Sequence, residues 1–515
     1  MSSPARRAAP GWSALCGVVA GLVLVAVAEL VSLAFSSSSA PFVAVGSAFV
    51  DVVPPGLKDL VISLFGTWDK VVLFGAMFAV YAALTALIGR IGDARPRLSA
   101  TLLAGLGLLA MALVLTRAQN TPLDVVPTLV GTLVAVPALL LLLRIVHAPV
   151  HEGAGARWTR RRSLLGVGAV GALALIGAAT ARGVNASREA ARRAAQFVLP
   201  APRTSAPPIP EAAQVDLEGM PPFVTPNADF YRIDTALAVP RVDPTTWRLR
   251  IHGLVDRELE LSFEELLAEP MIETNLTLTC VSNGVGGDLA GNAVWLGVPV
   301  RTLLERVGVT SGADMVLSRS IDGFTASTPL EALTDARDSL IAVGMNGEPL
   351  PAQHGYPVRM VVPGLYGYVS ATKWLTELKV TRFADDVAYW TTRGWSDRGP
   401  IKIASRIDVP RSFADLRPDA EGAVMLGGTA WAQQRGISAV QVRIDDGDWR
   451  DAELAAEVSA DTWSQWSLRW EEAEAGEHSV TVRAVDGEGE VQTEERADPV
   501  PNGASGWHSV RCTVV

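Results

Sequence analysis

Cysteine is scarce: the chain of 515 residues holds three, Cys16, Cys280 and Cys512. A disulfide framework is thereby excluded, and without CxxC or Cys/His spacing so is a structural zinc site. Cys16 lies in an apolar run and Cys512 close to the C-terminus, where each reads as a small buried apolar side chain. Histidine is scarce too, with six in all. Only His147 and His151 approach the apolar half, both at the end of one run, so a bis-His haem within that half is not expected. Concentrated basic charge is absent: the net charge is −10, and the arginines of the second half form no long stripe. A general nucleic-acid binder needs a basic face, so nucleic acid is not an expected partner.

Long apolar runs are abundant, and they fill the first 185 residues. A membrane-crossing helix needs about 20 mostly apolar residues. Five stretches meet or approach that length: Trp12 to Phe35, Val71 to Gly89, Leu98 to Thr116, Val125 to Val146 and Leu164 to Thr180. Pro41 to Phe65 is also apolar, but Asp51, Pro54, Pro55, Lys58 and Asp59 interrupt it, which predicts a loop or interfacial segment. Arg6 and Arg7, then Arg90, Arg95 and Arg97, then Arg157 and Arg160 to Arg162 fall on one face of a five-helix bundle. Basic loops mark the cytoplasmic side. Everything after Thr180 is then extracytoplasmic, although Arg182, Arg188, Arg192 and Arg193 run against that orientation. Thr159-Arg160-Arg161-Arg162-Ser163-Leu164-Leu165-Gly166 also resembles a twin-arginine export signal placed internally. An ordinary basic anchor reads the same way, and both readings put the second half outside.

A proline-rich stretch from Leu199 to Pro222 predicts an extended spacer. The next domain, 225–408, mixes short strands and helices: a strand over Trp247–Gly253, a helix capped by Ser262 with Glu265 three residues on, a helix over Val300–Val307, and strands over Thr274–Cys280 and Val358–Val362. This is an α+β pattern without regular βα alternation. In 409–515, strands are expected at Ala423–Thr429, Ala439–Ile444, Trp463–Trp470 and Ser479–Val485. Trp431, Trp449, Trp463, Trp466 and Trp470 are expected to fill the core of an Ig-like β-sandwich.

The run Thr277 to Gly287 is a strand that ends in Cys280 and breaks into a glycine-rich loop. A thiolate there can ligate a soft metal or act as a nucleophile, and nearby glycines let a bulky ligand approach the backbone. By itself this pattern equally suits a buried structural cysteine. The motifs around it are more specific: Gly291 to Pro299, Met345-Asn346-Gly347-Glu348-Pro349-Leu350-Pro351, His354-Gly355-Tyr356-Pro357-Val358-Arg359, Val362-Pro363-Gly364 and Ser370 to Leu375. In order and spacing they resemble the sulfite oxidase family of molybdenum enzymes, over about Pro222 to Arg411, and that family's Ig-like dimerisation domain accounts for the tail.

The resemblance implies a molybdenum–molybdopterin cofactor with Cys280 as the metal-ligating thiolate. It implies pterin and phosphate contacts from His354, Arg359, Thr372 and Lys373, with Arg232 of Phe230-Tyr231-Arg232 a further contact. A phosphate favours a planar arginine fork and a lysine point charge. Two departures stand out. The family's sulfite-oxidising members carry an arginine pair after the cysteine, where this chain has Val285-Gly286-Gly287-Asp288. Their tyrosine near the metal falls near Trp395 here, which makes Trp395 a candidate catalytic position beside Cys280. The expected activity is oxygen-atom transfer on a small or protein-borne S- or N-oxide or an oxyanion. Membrane lipid, a quinone or separate haem protein, and a second copy in a homodimer are the expected partners, unless the membrane half is an anchor only. A reading of another class is a cofactor-free cell-surface binding or scaffold protein that kept the fold, which would purify without molybdenum.

Overall fold

The computed structural model describes residues 10–53, 64, 69–118, 120–147, 166, 169, 176, 177, 197–471 and 473–515. The chain divides into two compact units: Met1–Gln196 with Thr235–Arg241, and Phe197–Asp234 with Val242–Val515.

The first unit is helical. Its long helices are α1 (Pro10–Ser32), α3 (Asp69–Ile91), α4 (Pro96–Leu115) and α5 (Val126–Val146), with the shorter α2 (Pro41–Val52) between the first two. Among the described residues, four helices are long and apolar enough to cross a membrane. Prolines begin α2 and α4, where the missing N–H is no loss. Small residues set the closest packing. A Cβ on Gly17 of α1 would overlap the backbone of Thr85 and Gly89 in α3, and one on Gly21 would meet the Thr85 side chain at 2.7 Å. Among apolar surroundings such close backbone approach supplies the packing that holds helices together. At one end of this unit Asp124 accepts from the Thr121 N–H (2.7 Å) and the Ser36 hydroxyl (2.8 Å), joining the loop after α1 to the start of α5. Within Pro41 to Phe65, expected as a loop or interfacial segment, residues 41–52 form a helix, too short at twelve residues to cross a bilayer; most of the remainder lies outside the described residues. The expected fifth helix, Leu164 to Thr180, and the arginine-rich stretch before it lie outside the described residues, apart from isolated positions.

The second unit is rich in sheet. Its first part holds β1 (Arg248–Gly253), β2 (Leu259–Ser262), β3 (Ile272–Thr279), β4 (Ala290–Pro299), β5 (Met315–Ser320), β6 (Thr325–Pro329), β7 (Leu340–Met345), β8 (Glu348–Pro349), β9 (Arg359–Val361) and β10 (Leu375–Thr381). They make two sheets, β2-β1-β10-β5-β6 and β3-β4-β7-β8, with β9 paired to β7. Only short helices interrupt them, such as Phe263–Leu267, capped as expected by Ser262 and Glu265, and Val300–Val307. Leu276 and Leu278 of β3 pack with Trp295, Phe230 and Val361 in one core.

The last part adds β11 (Ala404–Val409), β12 (Ala414–Leu416), β13 (Val424–Trp431), β14 (Ile437–Ile444), β15 (Arg450–Asp451), β16 (Glu453–Leu454), β17 (Ser464–Trp470), β18 (Gly476–Asp486) and β19 (His508–Val514). The sheets β11-β13-β17-β16 and β12-β19-β18-β14-β15 share one core, in which Trp466 and Trp470 meet Val440, Val442, Val480 and Val482. Not every expected core tryptophan is there. Trp449 is half-buried, its ring 5.0 Å from that of Trp507 and 4.2 Å from the Arg483 guanidinium. Strand alternation explains this: Val440 and Val442 of β14 point inward, while Gln441 and Arg443 point outward, toward the Trp449 stack. Trp463 is buried too, but against the first part of the unit: its N–H meets the Thr277 hydroxyl at 2.8 Å and its indole N–H the Phe223 carbonyl at 3.0 Å.

Candidate active site

Cys280 is placed by the last rung of β3. Thr279 pairs with Ala290 of β4, and the Cys280 N–H donates to the Leu289 carbonyl at 2.9 Å, so the loop 281–289 leaves and re-enters the ladder at its end. Asn283 ties that loop shut: its N–H reaches the Cys280 carbonyl (3.1 Å), and its Oδ1 accepts from the Leu289 N–H (2.9 Å). Gly286 has φ +76°, and a side chain there would overlap the His508 ring. A glycine is needed on both counts. Cys280 is 7% exposed, and its thiol lies 3.0 Å from the Ser282 hydroxyl. Burial pushes its pKa up, opposed by the Ser282 hydrogen bonds and the Lys373 charge.

The cations expected around it are brought into one neighbourhood. Arg359, on β9, is buried with its guanidinium 5.0 Å from the centre of the Trp295 ring. Its hydrogen bonds go to main-chain carbonyls: His354 at 3.1 Å, Ala371 at 3.4 Å and Met360 at 3.5 Å. Burial holds this arginine down to about 10. Lys373 donates to Asp234 Oδ2 at 2.7 Å and to the Gln353 carbonyl at 3.3 Å, and burial lowers it to about 8. The same Asp234 oxygen accepts from Arg232 Nε at 2.9 Å; Arg232 is the most open of the three cations, with 40% of its side chain exposed. The buried His354 ring donates from Nε2 to the Asn227 carbonyl at 2.9 Å, so Nδ1 keeps the lone pair. Burial, with Arg359 and Lys373 adding to it, drives this histidine down to about 4 and keeps it neutral. Thr372 is fully buried, its hydroxyl 2.7 Å from that of Ser318.

Gly355, between His354 and the Tyr356-Pro357 turn, has φ +115°, and a Cβ there would meet Arg359 at 3.0 Å and the Lys373 backbone at 3.2 Å. The glycine of the His-Gly motif thus lets the two cation-bearing segments close on each other. The ring neighbours of Trp395 are Tyr368 at 5.9 Å and Trp390 at 6.2 Å. Two tyrosines feel the Cys280 charge. Burial raises the pKa of both Tyr231 and Tyr366, and the Cys280 charge adds to each rise, while Arg359 offsets it at Tyr231. Sequence reasoning had passed over both tyrosines. Tyr231 stands beside Arg232 in a quoted motif and Tyr366 two residues after Gly364, so position alone could have flagged them.

Residues 236–390 match the family described as "Oxidoreductase molybdopterin binding domain". The uncharacterized oxidoreductase YuiH of Bacillus subtilis is 38% identical over 157 residues, which are 30% of this chain and 76% of that protein. The chain belongs to the sulfite oxidase family of molybdopterin oxidoreductases. Mouse mitochondrial sulfite oxidase is 30% identical over 345 residues, 57% of this chain, and the match spans 62% of the mouse protein's length. The sulfane dehydrogenase SoxCD of Paracoccus pantotrophus superposes with a TM-score of 0.49 at 24% identity, over 57% of this chain and 81% of that one. The family match encloses Cys280, His354, Arg359, Thr372 and Lys373; Arg232 precedes it and Trp395 follows it.

Proposed function

We propose that this protein is a membrane-anchored molybdopterin oxidoreductase that performs oxygen-atom transfer on a small or protein-borne S- or N-oxide or an oxyanion, with Cys280 as the protein's ligand to molybdenum. The observation that carries this reading is a buried thiol at a strand end close to a buried arginine that hydrogen-bonds only main-chain carbonyls among the described contacts. A guanidinium shut away from water without an anion is costly, so the arrangement suits a bound phosphate. Among the described residues no cluster of three or more His, Cys, Asp or Glu side chains could hold a metal. A lone thiol cannot retain one by itself, so the metal has to arrive with donors of its own, as a pterin dithiolene supplies. The residues therefore fit the family's cofactor.

When bound, the molybdenum centre supplies the two-electron oxygen-atom chemistry. The chain's own residues position and insulate it. Arg359 and Lys373 offer a planar fork and a point charge for the phosphate, and Arg232 offers a third cation, with Asp234 holding the last two in register. His354 stays neutral and presents Nδ1 as an acceptor, while Thr372 fixes the start of the lysine segment through Ser318. The thiol of Cys280 gives up its proton on ligation, and Lys373 favours the resulting thiolate. Trp395, packed with Tyr368 and Trp390, is the candidate catalytic position beside Cys280 in this reading.

The two sheets of residues 404–514 form an Ig-like sandwich in this reading, and a homodimer, a quinone or a separate haem protein are the partners it implies. The apolar helices, with the basic loops on one side, support a multi-pass anchor in the cytoplasmic membrane with the catalytic domain on the extracytoplasmic face. The test is composition: protein purified from membranes under ample molybdate is expected to carry about one molybdenum and one pterin per chain, the single-site stoichiometry of one metal-ligating thiolate. Protein that carries neither, nor tungsten, would refute the reading.

A further inference from the structure

The strand that delivers Cys280, β3, stands at the end of its sheet and pairs with β4 on one side only. An end strand presents unpaired main-chain groups, and here residues of the C-terminal part satisfy them. The Thr277 N–H donates to the Asp461 carbonyl at 3.0 Å. Gln433, 3% exposed, donates from Nε2 to the Thr277 carbonyl (3.2 Å) and the Thr279 hydroxyl (3.4 Å).

The loop after Cys280 is met by the same part at two further points. Arg406 of β11, 7% exposed, donates from Nη1 to the Gly287 carbonyl at 2.9 Å. Its charge is balanced locally: Nε lies 2.8 Å from Asp408 Oδ1, and the Thr429 hydroxyl donates to the other Asp408 oxygen at 3.0 Å. His508, the first residue of β19, fills the space beside Gly286 that a side chain there would take. Its Nδ1 accepts from the Ile407 N–H at 3.0 Å, which fixes the ring and ties it to the residue after Arg406. The two contacts thus come from both sheets of the C-terminal part and are joined to each other. Inside the loop the Gly287 N–H donates to the Gly284 carbonyl (2.9 Å), and Asn283 links the Leu289 N–H to the Cys280 carbonyl. Gly286 and Gly287 are clamped from outside, and Asn283 carries that fixed end back to the cysteine.

We infer that Arg406 and His508 are positioning residues for the Cys280 thiolate: the C-terminal part braces the loop and so sets the direction from which the sulfur meets the metal. The inference rests on the molybdenum reading above and gives residues 404–514 a role besides joining two copies. A metal ligand has to be held within about 0.5 Å of its productive place, and groups behind a ligand tune the metal through its orientation. Arg406 suits this task because a charge-assisted hydrogen bond is short and directional, while Asp408 keeps the guanidinium from standing alone in a buried place. His508 acts by shape. A ring against a glycine leaves the loop no room to shift toward β19.

The experiment starts from the molybdenum and pterin content of purified wild-type protein; absence of both overturns the enzymatic reading itself, so that failure is told apart at the first step. Two variants then release the loop. Arg406→Leu with Asp408→Asn removes the ion pair as a pair, and His508→Asn keeps an acceptor for the Ile407 N–H while withdrawing the ring from Gly286. Val442→Ala, which truncates a fully buried side chain in the core that the two sheets share, controls for lost stability alone. Each protein is read by amide hydrogen exchange over 281–289 and, when loaded, by the electron paramagnetic resonance of molybdenum(V). Both release variants are expected to exchange about tenfold faster in that loop, the worth of one hydrogen bond to a charged group. Both are also expected to show displaced g-values and to lose metal to a chelator about tenfold faster, whereas Val442→Ala matches wild type in loop exchange and resonance. A wild-type resonance in either loaded release variant, or an equal displacement in Val442→Ala, overturns the inference. Where a release variant takes up no metal, exchange decides alone: acceleration confined to 281–289 supports the brace, and unchanged exchange overturns it.

Discussion

Arg359→Met gives opposite results with and without cofactor if the guanidinium serves a phosphate. In the cofactor-free protein, holding this side chain at about 10 instead of 12.5 costs the charged form about 3 kcal/mol. Against that stand one good bond to the His354 carbonyl at 3.1 Å and two long ones, at 3.4 and 3.5 Å. Together with the Trp295 ring contact they are worth on the order of 2–4 kcal/mol. Methionine has a similar unbranched stem, so cofactor-free stability is expected to change by no more than about 1 kcal/mol, a shift of a few degrees in Tm. In loaded protein the same change removes charge-assisted bonds of about 1.5–3 kcal/mol each, and pterin retention is expected to fall about a hundredfold or more. The assay pairs melting of the cofactor-free protein with metal analysis and fluorescence of the oxidised pterin. Full pterin content in the variant would refute the reasoning. So would a loss of more than about 3 kcal/mol without cofactor, which would make Arg359 a structural residue.

Acid sensitivity follows from two histidines. His354 and His508 are each held down to about 4 by burial and neighbouring arginines. Between that value and about 6.5 the unfolded chain binds the proton and the native one does not, so stability is full above 6.5 and falls as pH drops toward 4, by up to about 3 kcal/mol per histidine. Urea unfolding of cofactor-free His508→Gln across this window is expected to show a shallower slope; an unchanged slope contradicts it. Thr277→Val keeps shape but strands two buried partners, the Trp463 N–H at 2.8 Å and Asn292 Oδ1 at 3.0 Å, and is expected to cost about 2–3 kcal/mol in the same measurement. In the helical unit, Gly17→Val is expected to lower the melting temperature in detergent, while Gly11→Val, with nothing among the described residues within 4 Å of its Cβ, is expected to leave it unchanged; equal behaviour would refute the close α1–α3 packing.

Local chemistry made much of this legible. The strand ending at Cys280, the Ser262 cap and the helix over Val300–Val307 each follow from a few adjacent residues, and so do the apolar runs of α1, α3, α4 and α5. Motif order pointed to Lys373, whose charge acts on Cys280, and to His354 and Arg359 beside it. Hidden were features made by distant segments: Asp234 shared by Arg232 and Lys373, and Tyr231 and Tyr366 near the thiol. Nothing in a window of sequence reports such packing. Trp449 shows the converse error, since a large apolar ring reads as core until strand alternation and two arginines give it a place on the outer face.

Molybdenum K-edge absorption of wild-type and Cys280→Ser protein, each with its metal content measured, tests the central assignment most directly. The account predicts one fewer sulfur neighbour at the metal in the variant, with pterin still bound through Arg359 and Lys373. An identical sulfur shell in the two proteins would contradict it.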